Sequence, residues 1–199
     1  MRFTKTEIVE SLDRDERSYR LAMLATHWLR DTARFKPSAA EQARGLAMQV
    51  CGRWVSFADL ADKLEDGAAR ELLSSDFMLN QLHTLVRVPF ELLSDYCEDF
   101  DRAAPGRGLL DEMKATPWYW YTRMIRNAVS HNFHFHFDER DRARMPVAWN
   151  GIELTEDMQG KPLGSEALWH KPGYELFQEM RAFADALPEL QTSGALDHV

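Results

Sequence analysis

Cysteine is scarce in this sequence, with two in 199 residues. Cys51 and Cys97 both sit in stretches that read as apolar helix, and neither has a partner at metal-ligand spacing. That argues against a disulfide framework and a cysteine-built metal site alike, and buried thiols in a reducing compartment are expected instead. Long apolar runs are missing too. No segment approaches the length that spans a bilayer, and the opening MRFTKTEIVESLDRDERS carries no apolar stretch of the kind a secretory leader needs. The expectation is a cytoplasmic protein with no membrane contact. Positive charge is in deficit, with 24 Lys and Arg against 32 Asp and Glu and a formal net charge of -8. A protein that coats nucleic acid through bulk electrostatics is usually basic, so only a short, local RNA contact stays open. Internal repeats and low-complexity tracts are absent as well.

What is present is ordinary globular material, 45% hydrophobic and 28% charged. The length suffices for one substantial core, and one domain over residues 1–199 is expected. The periodicity predicts a long amphipathic helix from about Lys5 to Phe35, with Ile8, Leu12, Tyr19, Met23, Thr26/His27 and Arg30 marking its turns. Its back half, LAMLATHWL, is apolar enough to enter the core. Pro37 closes it, and Ser38 and Glu41 suggest a capping box for a second helix, about Ala39 to Leu64. There Leu46, Val50, Trp54, Phe57 and Leu60/Ala61 form the core-facing stripe. Asp66-Gly67 breaks that helix. A third pattern runs from about Ala68 to Phe100, with a kink or break expected at Pro89.

After a Pro/Gly-rich loop and a short helical piece at Leu109–Lys114, Thr116-Pro117 reads as the start of a fourth helix ending near Ser130. On it Trp118, Tyr121, Ile125 and Ala128 should face the core. Arg123, Asn127 and Ser130 then form a polar stripe with Arg126 beside it. Phe133-His134-Phe135-His136-Phe137 alternates with a period of two, a strand signal. Val147–Trp149 and Ile152–Leu154 flank Asn150-Gly151, which supplies the two positive-φ residues of a type I′ hairpin turn. A polar turn at Asp157–Gly160 and a last helix, about Pro172 to Leu187, complete an all-α chain with a small β insertion spanning about 133–165. The tail after Pro188 reads as loose.

The phrase at the end of the fourth helix, Ile125-Arg126-Asn127-Ala128-Val129-Ser130-His131-Asn132, resembles the HEPN superfamily. That family's pattern is an arginine, usually a polar residue next, and a histidine after four to six intervening positions. Here Asn127 is the polar residue and four residues separate Arg126 from His131. The specific likeness covers about six positions; the order of helices and the late placement of the motif fit as well. The resemblance implies a helical bundle that dimerises so that two motifs face one cleft. It also implies either a metal-independent endoribonuclease, often a toxin or defence protein, or a member that has lost activity and binds a partner. RNA, a second copy and, for a toxin, an antitoxin protein are the partners implied, with no cofactor.

Physics adds detail to the motif. Five residues along a helix leave Arg126 and His131 about 140° apart, so they converge only if the helix stops near Ser130 and the chain curls, or if a second subunit brings another copy. Asn132, tolerant of left-handed backbone, suits such a stop. The partial negative charge of a helix C-terminus suits a protonated imidazole at His131. In a nuclease, His131 would transfer protons, Arg126 would hold the phosphate through its planar fork, and Asn127 and Ser130 would orient ribose or imidazole. Arg123, His134, Arg140 and Arg142 are candidate substrate contacts. The same Arg140, Arg142 and Arg144, set against Asp138, Glu139 and Asp141, equally describe a solvated loop. Glu91 and Asp95 would either pair with the motif arginines or face water. His131, His134 and His136 could hold a metal, but alternating Phe and His more simply makes a strand with one wet face, and no metal is expected. Trp118–Tyr121 could stack bases, though packing is the commoner use of aromatics at helical spacing. The nuclease and the silent binding module separate on one property. Catalysis needs Arg126 and His131 both open to solvent, whereas burial or an ion pair at either favours the silent module.

Overall fold

A computed structural model describes residues 3–31, 41–42, 44–165 and 167–189. Among these lie seven α-helices and two antiparallel hairpins. The mainly helical class expected from the sequence is therefore observed. The chain divides into two compact units, one formed by Met1–Glu16 with Leu82–Val199 and the other by Arg17–Gln81. Two helices, α1 (Lys5–Arg30) and α3 (Gly67–Ala103), run from one unit into the other.

In the larger unit, the front of α1 is capped reciprocally. The Thr4 hydroxyl accepts the Glu7 N–H and the Glu7 carboxylate accepts the Thr4 N–H. Ile8 and Leu12 then enter the core. The rear of α3 supplies Leu82, Leu85, Val86, Phe90 and Leu93 to that core. It continues past Pro89 as one helix rather than breaking there. A missing i to i−4 bond costs about 3 kcal/mol, and burial of several large side chains within two turns of Pro89 outweighs it. At the far end of α3, the Asp101 carboxylate accepts the backbone N–H groups of Leu109 and Leu110 at 2.7 and 2.9 Å. It thereby satisfies two of the open donors of α4 (Leu109–Lys114).

The motif helix is α5 (Tyr119–Ser130), and Trp118, Tyr121, Ile125 and Ala128 are buried as expected. Its start differs from expectation. Thr116 does not cap it but donates its hydroxyl to the Met113 carbonyl, and the helix begins after Trp118. The Tyr121 ring packs 5.1 Å from Trp149, and its hydroxyl donates to the Ala167 carbonyl.

Beyond α5 the expected strand at 133–137 shrinks to a single bridge, His134 with Pro162. Asn132 and Phe133 both adopt positive φ, 57° and 58°, which bends the chain before a ladder can extend. The alternation itself survives, with Phe135 and Phe137 inside and His134 and His136 outside. A short helix, α6 (Glu139–Arg142), follows, and then the hairpin of β3 (Val147–Trp149) and β4 (Ile152–Leu154). Asn150 and Gly151 turn that hairpin at φ 49° and 77°, as a type I′ turn requires. A 3-10 turn at Glu156–Met158 and helix α7 (His170–Ala186) close the unit.

The smaller unit corrects the sequence reading most. Of the helix expected over Ala39–Leu64, residues 41, 42 and 44 are helical, but the chain from Ala47 onward is instead the hairpin of β1 (Ala47–Val50) and β2 (Arg53–Ser56), followed by the short α2 (Ala58–Glu65). Cys51 and Gly52 turn the hairpin with φ of 49° and 75°. Met48 thus pairs with Val55, and Leu46 and Trp54 are exposed rather than core-facing. Cys51 is exposed too, contrary to expectation, whereas Cys97 is buried and burial pushes its thiol up to about 12. On the rear of α1 the buried face is Tyr19, Ala22 and Thr26, and Met23 lies outside it. The first helix ends at Arg30, short of the expected Phe35, and the proposed cap at Ser38 and the tail beyond Glu189 fall outside the described residues.

Gly151 tests the β3–β4 turn. A Gly151→Val variant, forced to hold positive φ with a branched side chain, should lose about 1–3 kcal/mol in urea unfolding. An unchanged midpoint would mean that the turn is not the constraint described.

Candidate functional site

The polar stripe of α5 is bound to two carboxylates, one on each side. On one side stands Glu91, one turn after Arg87 on α3. Its Oε1 accepts from Arg87 Nε at 2.9 Å and from Arg126 Nε and Nη2 at 3.1 and 2.9 Å. Burial works against this carboxylate, but the bonds from Arg87 and Arg126 outweigh it and hold Glu91 below the ordinary glutamate range. Glu91, one of the two acids considered on α3, thus engages a motif arginine. The Arg126 side chain stays 35% exposed, and its Nη1 donates to Asn127 Oδ1 at 3.2 Å. Three of its five N–H donors are committed within the protein.

On the other side stands Asp141 in α6, with no exposed surface. Its Oδ1 accepts from Arg123 Nε at 3.0 Å, and its Oδ2 accepts from Asn127 Nδ2 at 3.2 Å and from the Asp138 N–H at 3.3 Å. Asp138 completes a capping box by accepting the Asp141 N–H, and it also pairs with Arg123 Nη2 at 2.9 Å. The backbone bond from Asp141 is foremost in holding the Asp138 carboxyl below its usual range. Each buried charge therefore has partners, which is what makes its burial tolerable.

The side chains expected to serve the site already have partners within the chain. Asn127 bridges Arg126 and Asp141, and Ser130 donates its hydroxyl back to the Arg126 carbonyl one turn earlier. Neither orients the imidazole of His131. Arg123 is tied to Asp138 and Asp141 and is three-quarters buried, so its guanidinium is already engaged within the protein. Arg140 and Arg142 are exposed on α6, and Arg142 lies 3.9 Å from Glu156. Arg144 covers the ring of Trp120 at 4.7 Å. His134 is exposed, with Nδ1 2.9 Å from the carbonyl of Asn132.

His131 itself caps α5, its N–H donating to the carbonyls of Asn127 and Ala128. The positive-φ pair that follows returns the chain so that the His131 and His136 rings lie 4.2 Å apart, tilted by 34° and both exposed. The sequence grouped His131, His134 and His136 as a possible trio, and the structure brings only His131 and His136 ring to ring, with Asn132, tolerant of left-handed backbone, between the two. No cluster of three or more metal-ligating side chains occurs among the described residues. His83 on α3 was missed. Its Nε2 is buried without a partner and its ring meets Phe133 edge-on at 5.9 Å. Burial first, and the nearby Arg87 second, hold its imidazole below the usual histidine range.

The chain matches no family model, no curated protein and no solved structure. The reading of the site therefore rests on its own geometry.

Two outcomes test that geometry. Removing one member of a buried ionic cluster strands the others, so Asp141→Ala should cost about 3–5 kcal/mol in denaturant unfolding; a loss below about 1 kcal/mol would contradict the clamp. His83 sets a pH dependence. Below an unfolded-state value of about 6.5 the unfolded chain takes up a proton that the folded site resists, so stability falls as pH drops from 7 toward 5. His83→Phe should flatten that limb in melts taken across the range, and an identical slope in both proteins would show the group to be unimportant.

Proposed function

We propose that this chain is a HEPN-like helical module that works by binding a protein partner, with the Arg126–His131 motif kept as a structural joint and not as a nuclease centre. One observation carries the reading. Arg126, the residue that would hold the scissile phosphate, is ion-paired with Glu91 through Nε and Nη2, and its Nη1 is turned to Asn127. Catalysis by preorganised charge needs donors aimed where negative charge develops, and these are aimed at a carboxylate already in place. The net charge of -8 adds to the case, since an RNA strand meets a surplus of negative charge.

A second reading has its own support. His131 and His136 are exposed with rings 4.2 Å apart, and two imidazoles are a sufficient acid–base set for cleaving RNA by attack of its 2′-OH. Metal-independent endoribonuclease action, of toxin or defence type, is what that pair would support.

Incubation of a mixed RNA pool with the full chain in EDTA separates the two. Wild type and His131→Ala should give the same background. Cleavage to 2′,3′-cyclic phosphate ends that disappears in His131→Ala would overturn the binding reading and establish the nuclease.

A further inference from the structure

The two imidazoles of His131 and His136 are held side by side on braced backbone. His131 closes α5, its N–H donating to the Asn127 and Ala128 carbonyls. His136 stands between Phe135 and Phe137, both buried. The return between the two histidines is tied to the segment 160–163. The Phe133 carbonyl accepts the Leu163 N–H at 2.7 Å, and Phe135 accepts from the Gly160 N–H at 2.8 Å and donates to the Lys161 carbonyl at 2.9 Å. Asn132 and Phe133 start that return at positive φ. A phenylalanine holds such a conformation only where its surroundings impose it, and strain of this kind clusters at ligand clamps. The result is two exposed rings with centroids 4.2 Å apart. Among the described residues no side-chain hydrogen bond engages either ring, whereas His134 has its Nδ1 against the Asn132 carbonyl.

A neutral imidazole offers the lone pair of its unprotonated nitrogen, and the ring swings broadly about its last side-chain torsion, so two neighbouring rings can aim their lone pairs at one ion. Two imidazoles meeting an ion at about 2.0–2.1 Å have ring centres roughly 4.5 Å apart at a right angle and roughly 5.2 Å apart at a tetrahedral angle. The separation of 4.2 Å is nearer the first. Right-angled imidazole ligation is the habit of copper(II) and nickel(II), and the tetrahedral angle that of zinc(II). Charge favours a cation as well, because the carbonyl end of α5 is partly negative and the chain carries a net charge of -8. We propose that His131 and His136 form a two-imidazole chelate for a late divalent transition cation, copper(II) or nickel(II) in preference to zinc(II), with water completing the ion's shell. Two protein ligands fall short of the closed set of a structural ion, so the ion is exchangeable and the fold does not depend on it. The RNA assay above is run in EDTA, which strips such an ion, so neither of its outcomes bears on this one.

Copper(II) titrated into the full chain, followed by calorimetry and by electron paramagnetic resonance, tests the proposal. A Cys51→Ser background removes the exposed thiol, which would compete for copper. That protein should bind one equivalent and show the splitting of two coupled nitrogens. His131→Ala and His136→Ala, each added separately, should weaken binding at least about tenfold and leave one coupled nitrogen, and His134→Ala should change neither. The three histidines are exposed, so circular dichroism should show the helical content of every variant preserved. No binding at about 100 μM copper(II) would overturn the proposal, as would affinity that both His131→Ala and His136→Ala retain. Tighter binding of zinc(II) than of copper(II) would overturn the right-angled assignment.

Discussion

A carboxylate without water must find all its hydrogen bonds in protein, and Asp141 is in that position. It draws Arg123 and Asn127 from α5 and the Asp138 backbone from its own turn, so three polar groups are fixed by one buried charge. Once Asn127 faces Asp141, its carbonyl oxygen is presented to Arg126, and the remaining face of that guanidinium goes to Glu91. The polar side of the motif helix is thus set by pairing rules for buried charge, and its apolar side by packing of Tyr121, Ile125 and Ala128. What remains outside both is the chain after Ser130, and that is where the exposed His131, His134 and His136 lie.

The legible parts of this protein are those where local chemistry and tertiary packing agree. Asn150-Gly151 demanded a hairpin and made one. The four core positions of α5 were readable from spacing alone, as was the left-handed stop at Asn132. The failure at 39–64 has a specific cause. Leu46, Val50, Trp54 and Phe57 fit a helical period, but Leu46, Met48 and Val50 also alternate, and Cys51-Gly52 offers a turn. Over so short a run the two periods coincide. The Gly and the β-branched Val50 and Val55 were the better guide.

At the site, Glu91 was visible as a candidate partner for a motif arginine, yet Asp141 passed as one acid among several in a charged loop. Its signal was positional rather than compositional. Asp138 and Asp141 stand at N-cap and N3, and that spacing marks a capping box even on a helix of four residues. Contact between His131 and His136 could not be read from spacing, because it depends on two consecutive positive φ values, one of them at a phenylalanine.

The hairpin at 47–56 carries a consequence for how the chain reaches its final state. Its sequence supports a competing helical register, it buries almost none of its large side chains, and its ladder is two strands wide. Such a segment sits at the shallow end of the stability spectrum, where local opening costs far less than global unfolding. Anything that covers it is then selecting one of two backbone registers as well as adding contacts. By mass action, a partner that binds only the ordered hairpin would also stabilise it, by an amount set by that partner's concentration relative to its dissociation constant.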